Sequence, residues 1–208
     1  MKLLTRLQTT IESIYRIDGS PPVEDFRVDA GQVIELFGAE ARPNREALLV
    51  SQDGEHTDVG LFVDEDIANA AHRFLSEREN SDDLDSFCAA LEGVSHFVYF
   101  MYCGLAQSRP VSLLELELQA EVDKYLLLRL FYPHEGLFDR LFVGFQLDDG
   151  LDGEAAERYR RASAEASRYA RWIDQRIERG ETVRVIADAR ALYRKTFADK
   201  LEHIARAA

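Results

Sequence analysis

SDDLDSFCAALEGVSHFVYFMYCGLAQSRPVSLLELELQAEVDKYLLLRLFY, residues 81–132, is the stretch that decides the fold. Ser81-Asp82-Asp83-Leu84-Asp85 opens a helix, with short polar side chains suited to a cap and acids suited to the positive end of the dipole. Leu84, Phe87, Cys88, Leu91, Val94, Val98, Met101 and Tyr102 then recur at spacings of three and four, an amphipathic stripe. From Val94 to Leu105 the segment is apolar nearly all round, as a buried helix is. It is shorter than the ~20 apolar residues a bilayer span requires. Gly104 reads as the stop and Gln107-Ser108-Arg109-Pro110 as a connector.

A second helix begins at Ser112, with Glu115 at capping-box spacing. It carries Leu113, Leu114, Leu116, Leu118, Val122, Leu126, Leu127 and Leu130, and ends before Pro133. So short a connector predicts antiparallel neighbours, in which residues whose numbers sum to roughly 215 lie level. On the first helix Glu92, His96, Tyr99 and Cys103 share a face, and on the second Glu117, Glu121 and Lys124 share one. The register brings Glu92 and His96 level with Glu117 and Glu121, three carboxylates and an imidazole between two apolar helices.

Such a convergence has two readings. It is either a buried polar network that fixes helix register, or an acid–base or metal site, because carboxylates and histidine on facing helices build the metal centres of bundles. The pair here is Glu92-x-x-x-His96, one residue longer than the Glu-x-x-His of dinuclear carboxylate centres. No cofactor is therefore expected, with a divalent metal ion on Glu92, His96, Glu117 and Glu121 as the alternative.

Toward the N-terminus, Leu3, Leu4, Leu7, Ile11, Ile14 and Tyr15 form the stripe of a first helix over residues 2–17, stopped by Asp18-Gly19-Ser20-Pro21-Pro22. Phe26–Val28 and Val33–Phe37 read as short strands, the second equally as a helical turn. Ala47–Val50 and Thr57–Val63 flank Gln52-Asp53-Gly54-Glu55, and Asp-Gly between apolar runs signals a hairpin. A lone hairpin is marginal in water, so a small antiparallel sheet against the helices is expected, with a solvated His56 at its tip. Asp64-Glu65-Asp66 caps a further helix through Ile67, Ala70, Ala71, Phe74 and Leu75. Glu77–Asp83 is a charged linker that lacks the ligand spacing of a calcium loop.

Toward the C-terminus, Phe131, Tyr132, Phe138, Phe142 and Phe145 form an aromatic connector, with a short helix near Glu135–Val143 plugging the end of the bundle. Asp148–Gly153 is a turn and cap. Residues 154–179 place Ala155, Tyr159, Ala162, Ala166, Tyr169, Ile173 and Ile177 on one seam. Gly180 closes that helix. A last helix spans 182–205 through Ile186, Ala189, Tyr193, Phe197, Leu201 and Ile204. The two are expected to form an antiparallel arm, packed on the central pair or reaching a second subunit. Arg158, Arg160, Arg161, Arg168 and Arg171 crowd the seam helix, beside Glu154, Glu157 and Glu165 at helical spacing.

Composition bounds the rest. A chain of 208 residues with 46% hydrophobic content buries a full core in one domain. Its parts read as an N-terminal helix and small sheet (1–63), a central helical core (64–150) and a C-terminal helical arm (151–208). Residues 1–152 hold 12 basic and 29 acidic side chains and residues 153–208 hold 13 and 9, so the net −13 divides into −17 and +4. An acidic chain argues against nucleic acid, which is bound by neutralising phosphates. The asymmetry suits head-to-tail self-association. Cys88 and Cys103 lie ~22 Å apart along one helix, too far to bridge, and read as thiols of a reducing compartment. Absence of a signal-peptide core or membrane span predicts a cytoplasmic location. No phosphate loop, Gly-x-Ser-x-Gly, Cys-x-x-Cys or His-Glu-x-x-His occurs.

The expectation is a mostly helical α+β protein. Its leading function is that of a non-catalytic cytoplasmic interaction or regulatory protein, homo-oligomeric through Arg158, Arg161, Ala166, Arg168 and Tyr169. The alternative is a helical-bundle metal-binding protein or enzyme.

Overall fold

The computed structural model describes residues 2–38, 45–54, 56–76, 83–133, 135–144 and 152–207. Among the described residues, eight α-helices and a three-stranded sheet run in the order α1 (Leu3–Tyr15), β1 (Arg27–Val28), α2 (Ala30–Phe37), β2 (Glu46–Asp53), β3 (His56–Val63), α3 (Glu65–Ser76), α4 (Leu84–Tyr99), α5 (Leu113–Phe131), α6 (Gly153–Glu178), α7 (Thr182–Tyr193) and α8 (Phe197–Ala207). The fold is mostly helical α+β.

The centre is α4. Between Phe87 and Tyr99 only Glu92 escapes full burial, and α1, α3, α5 and the β2–β3 hairpin all pack on it. The helix does not stop at Gly104: it continues as a π-helical segment, Phe100–Ala106, in which Met101 and Cys103 stay buried. Both cysteines are free thiols.

α5 lies between α4 and α6, and every residue from Glu115 to Leu128 is buried. That run contains Glu, Gln, Asp and Lys, whose groups must find partners inside the protein. They fall into two stripes, Glu117-Glu121-Lys124 and Glu115-Gln119-Asp123. Residues two apart on an α-helix point about 200° apart, so the stripes face opposite sides of α5. Alternation in LELELQAE is therefore two helical stripes out of phase. Only half of the capping box forms at the start of α5: Ser112 Oγ accepts from Glu115 N at 3.1 Å, while the Glu115 carboxylate turns inward.

In the sheet, β2 and β3 pair antiparallel around Gly54, with Asp53 opposite His56. β1 joins β3 in parallel, so the order is β1-β3-β2 and the sheet is mixed. Residues Val33–Phe37 take the helical alternative, because Asp29 and Gln32 close a reciprocal capping box at the start of α2. Asp64 Oδ1 accepts from Asp66 N and caps α3. Asp152 Oδ1 does the same for Ala155 N on α6, at 2.7 Å.

One expectation is corrected at the C-terminus. The last helix divides into α7 and α8 around Arg194–Thr196. Thr196 Oγ1 and O accept from Asp199 N and Lys200 N and start α8 afresh. The bend lets Tyr193 and Lys200 enter one core from two directions, and both are essentially inaccessible. Between Phe131 and α6, residues Asp139–Val143 form a π-helical turn, and Phe138 and Phe142 close over Tyr125. Residues 77–82, 145–151 and Glu55, which carry the charged linker, Phe145, most of the Asp-Gly turn before α6 and part of the hairpin turn, lie outside the described residues. Among the described residues no helix is long and apolar enough to cross a membrane.

Candidate metal centre between α4 and α5

The antiparallel register holds. Tyr99 meets Glu115, His96 meets Glu117 and Glu92 meets Lys124, stepping in opposite directions along the two helices. One ligand atom each from Glu92, His96 and Glu117 lies within 4.8 Å of the others. His96 Nε2 stands 3.5 Å from Glu117 Oε2. That contact is not a hydrogen bond, and Nε2 is buried with no such partner among the described residues. His96 and Glu117 are each 6% exposed.

Glu121, the fourth expected ligand, stands outside this group. Lys124 intervenes, its Nζ donating to Glu121 Oε1 at 2.7 Å and to Glu92 Oε2 at 2.8 Å. Sequence reasoning missed Glu46 altogether. It begins β2, half-buried, and its Oε2 lies 3.9 Å from His96 Nδ1. A signal was present in Gly93: a glycine inside an apolar helix marks a close approach by another part of the chain. From α6, Arg158 Nε comes within 3.6 Å of Glu117 Oε1.

Burial and charge set the proton affinities. Burial pushes Glu46 up to about 8, against the pull of His96. Burial disfavours the His96 imidazolium, but Glu117, Glu46 and Glu92 outweigh it and hold the ring at about 9. Burial also raises Glu92, yet Lys124 and His96 bring it below the ordinary carboxylate value. Glu121 is raised by burial more than Lys124 lowers it. Lys124 stays firmly protonated, since Glu121 and Glu92 exceed the desolvation of its ammonium. Tyr159 is raised by burial and then by Glu92, Glu117 and Glu46. Burial raises the Cys88 thiol to about 12, leaving it protonated and inert.

Tyr99 and Cys103 leave the cluster. Tyr99 OH donates to Glu115 Oε1 at 2.6 Å, and Arg109 donates to Glu115 at 2.8 and 3.1 Å. On the same side of α5, Asp123 accepts from Tyr15 OH, from Ser95 Oγ at 2.5 Å and from Gln119 Nε2 at 2.8 Å. Gln119 Oε1 accepts from Lys200 Nζ, which lies 4.2 Å from the Tyr99 ring centroid. This second network joins α1, α4, α5 and α8, with nearly every group satisfied. The first leaves Glu46 Oε2 and His96 Nε2 buried without a hydrogen-bond partner among the described residues.

Of the residues expected on an interaction surface, Ala166 and Tyr169 lie inside the chain's own core, 1% and 0% exposed. The small-residue seam of α6 is spent on α5, α7 and α8, which corrects that expectation. Arg158 turns inward to Glu117, whereas Arg161 and Arg168 are exposed, the latter paired with Glu165 at 3.0 Å. The chain matches no protein-family model, no curated protein and no solved structure.

Proposed function

We propose that this protein binds one divalent transition-metal ion between α4 and α5, with Glu92, His96 and Glu117 as its ligands. The observation that carries the reading is the meeting of three ligand atoms within 4.8 Å around a buried, unpaired His96 Nε2. A tetrahedral ion with bonds of ~2.0–2.1 Å spaces its ligands about 3.4 Å apart. The His96–Glu117 pair is already at 3.5 Å, and Glu92, whose ligand atom lies within 4.8 Å of both, completes the set by a side-chain adjustment. Imidazole with carboxylates suits Zn²⁺, Fe²⁺ and Mn²⁺. Four carboxylates, from Glu46, Glu92, Glu117 and Glu121, face Lys124 and Arg158, with the exposed Arg45 also acting on Glu92. The cluster is thus short of positive charge, and protons or a metal ion must supply it.

Three protein ligands leave a coordination position open, the pattern of sites where a metal polarises a bound water or small ligand. Lys124 occupies the place beside Glu92 and Glu121 that a second metal would need, which favours a single ion. The test is elemental analysis of purified protein, followed by titration of chelator-treated protein with Zn²⁺ and Mn²⁺ at pH 8. About one ion per chain is expected, lost in His96→Ala while the far-UV spectrum is unchanged. Wild-type protein that takes up neither ion overturns the reading.

A further inference from the structure

Glu46 enters the cluster from the opposite side of the imidazole. Glu117 faces Nε2, while Glu46 Oε2 lies 3.9 Å from Nδ1 and has no hydrogen-bond partner among the described residues. Its place on α4 depends on Gly93, three residues before His96. A Cβ at 93 would meet Glu46 Oε2 at 2.9 Å, Leu61 Cδ1 at 3.2 Å and Glu46 Cβ at 3.4 Å. Glycine inside a helix costs ~1 kcal/mol relative to alanine, and here it admits a carboxylate beside the histidine. The strand is held to α4 independently, because Arg45 Nη2 donates to Asp85 O at 3.0 Å. Glu46 is thus delivered by the sheet, 46 residues before Glu92 and 71 before Glu117.

A neutral imidazole has one N–H, and whichever nitrogen carries it cannot bind a metal. We propose that Glu46 is the positioning residue of the metal site, accepting the Nδ1–H of His96 so that the Nε2 lone pair faces Glu92 and Glu117. This rests on the metal-site reading above. The bond forms when the side chains close by about 1 Å, to the 2.8–3.0 Å of an ordinary N–H···O contact. It ties the metal to the β2–β3 hairpin and accounts for both Gly93 and the lone Glu46 oxygen. Carboxylate partners of this kind are worth 10–100-fold in metal affinity.

Zn²⁺ affinity at pH 8, measured by competition with a chromophoric chelator, and the ¹⁵N–¹H spectrum of the His96 ring provide the test. Zn²⁺-loaded wild type is expected to show Nδ1–H with zinc on Nε2. Glu46→Ala should bind Zn²⁺ 10–100-fold more weakly, and Glu46→Gln, whose amide oxygen still accepts the proton, should recover most of that loss. Gly93→Ala keeps every ligand and strengthens the helix, yet should weaken Zn²⁺ as Glu46→Ala does. Glu46→Ala and Gly93→Ala both within threefold of a Zn²⁺-binding wild type, or a ring with Nε2–H and zinc on Nδ1, would overturn this inference and leave the metal site standing. A wild type that binds no Zn²⁺ or Mn²⁺ overturns both.

Discussion

Lys124→Met isolates what holds the two central helices together. Lys124 is 7% exposed and its ammonium lies 2.7 Å from Glu121 and 2.8 Å from Glu92. Methionine keeps most of the volume of the stem and removes the charge. Breaking a buried ion pair from one side costs about 3–5 kcal/mol, because the partner stays buried without compensation. Two carboxylates are stranded here, but Glu121, already raised by burial, relieves part of the cost by taking a proton. A loss of about 3 kcal/mol is expected, or about 7 °C in Tm for a chain of this length. The assay is urea unfolding followed by far-UV circular dichroism at pH 7.5, with chelator present. Stranded acids have folded pKa values above their unfolded ones, so protonation stabilises the variant, and its deficit must narrow as the pH falls toward 5. Glu121→Gln added to Lys124→Met should return about 1–2 kcal/mol, since one of the two buried charges is gone. A single variant within 1 kcal/mol of wild type, or a deficit equal at pH 7.5 and pH 5, refutes the reasoning.

The second network offers two further tests. Tyr193 OH is buried without a partner among the described residues, while Tyr15 OH donates to the buried Asp123 carboxylate. Tyr193→Phe should therefore change stability by no more than about 0.5 kcal/mol and Tyr15→Phe should lose about 1–3 kcal/mol; equal losses in thermal melts would contradict the assignment. Burial lowers Lys200 to about 8 from 10.5, against Glu115, Cys103 and Asp123. A depressed lysine charges at a cost below its folded value, and the cost is relieved as pH rises from about 8 to 10.5. The stability of Lys200→Met relative to wild type should accordingly fall by about 2 kcal/mol between pH 7.5 and 10, the tyrosine background cancelling in the difference; a gap independent of pH would exclude a charged Lys200 in the core.

The helical periodicities of α1, α4, α5 and α6, the Asp-Gly hairpin and the meeting of His96 with Glu117 were all legible in the residues. Each is a local matter of spacing, or follows from two helices joined by a short connector. Arg194–Thr196 looked like helix interior because its flanks share one period. Only the demand that Tyr193 and Lys200 fill the same core bends the chain there. The α6 seam was visible as a seam, but a stripe of alanine and tyrosine does not say whether its neighbour is α5 or another molecule. In the candidate site, spacing placed Glu92, His96 and Glu117 together and put Glu121 beside them. Lys124 pairs with Glu92 and Glu121 alike and stands between Glu121 and the other ligands by the reach of its side chain, which spacing along a helix does not encode. Glu46 was invisible from its own surroundings, a strand residue after a loop, since its contact with His96 exists only where the sheet crosses α4 at Gly93. Local spacing thus determined the helices and their facing acids, while the tertiary packing decided which charges pair, because pairing is settled by distances between elements remote in the chain.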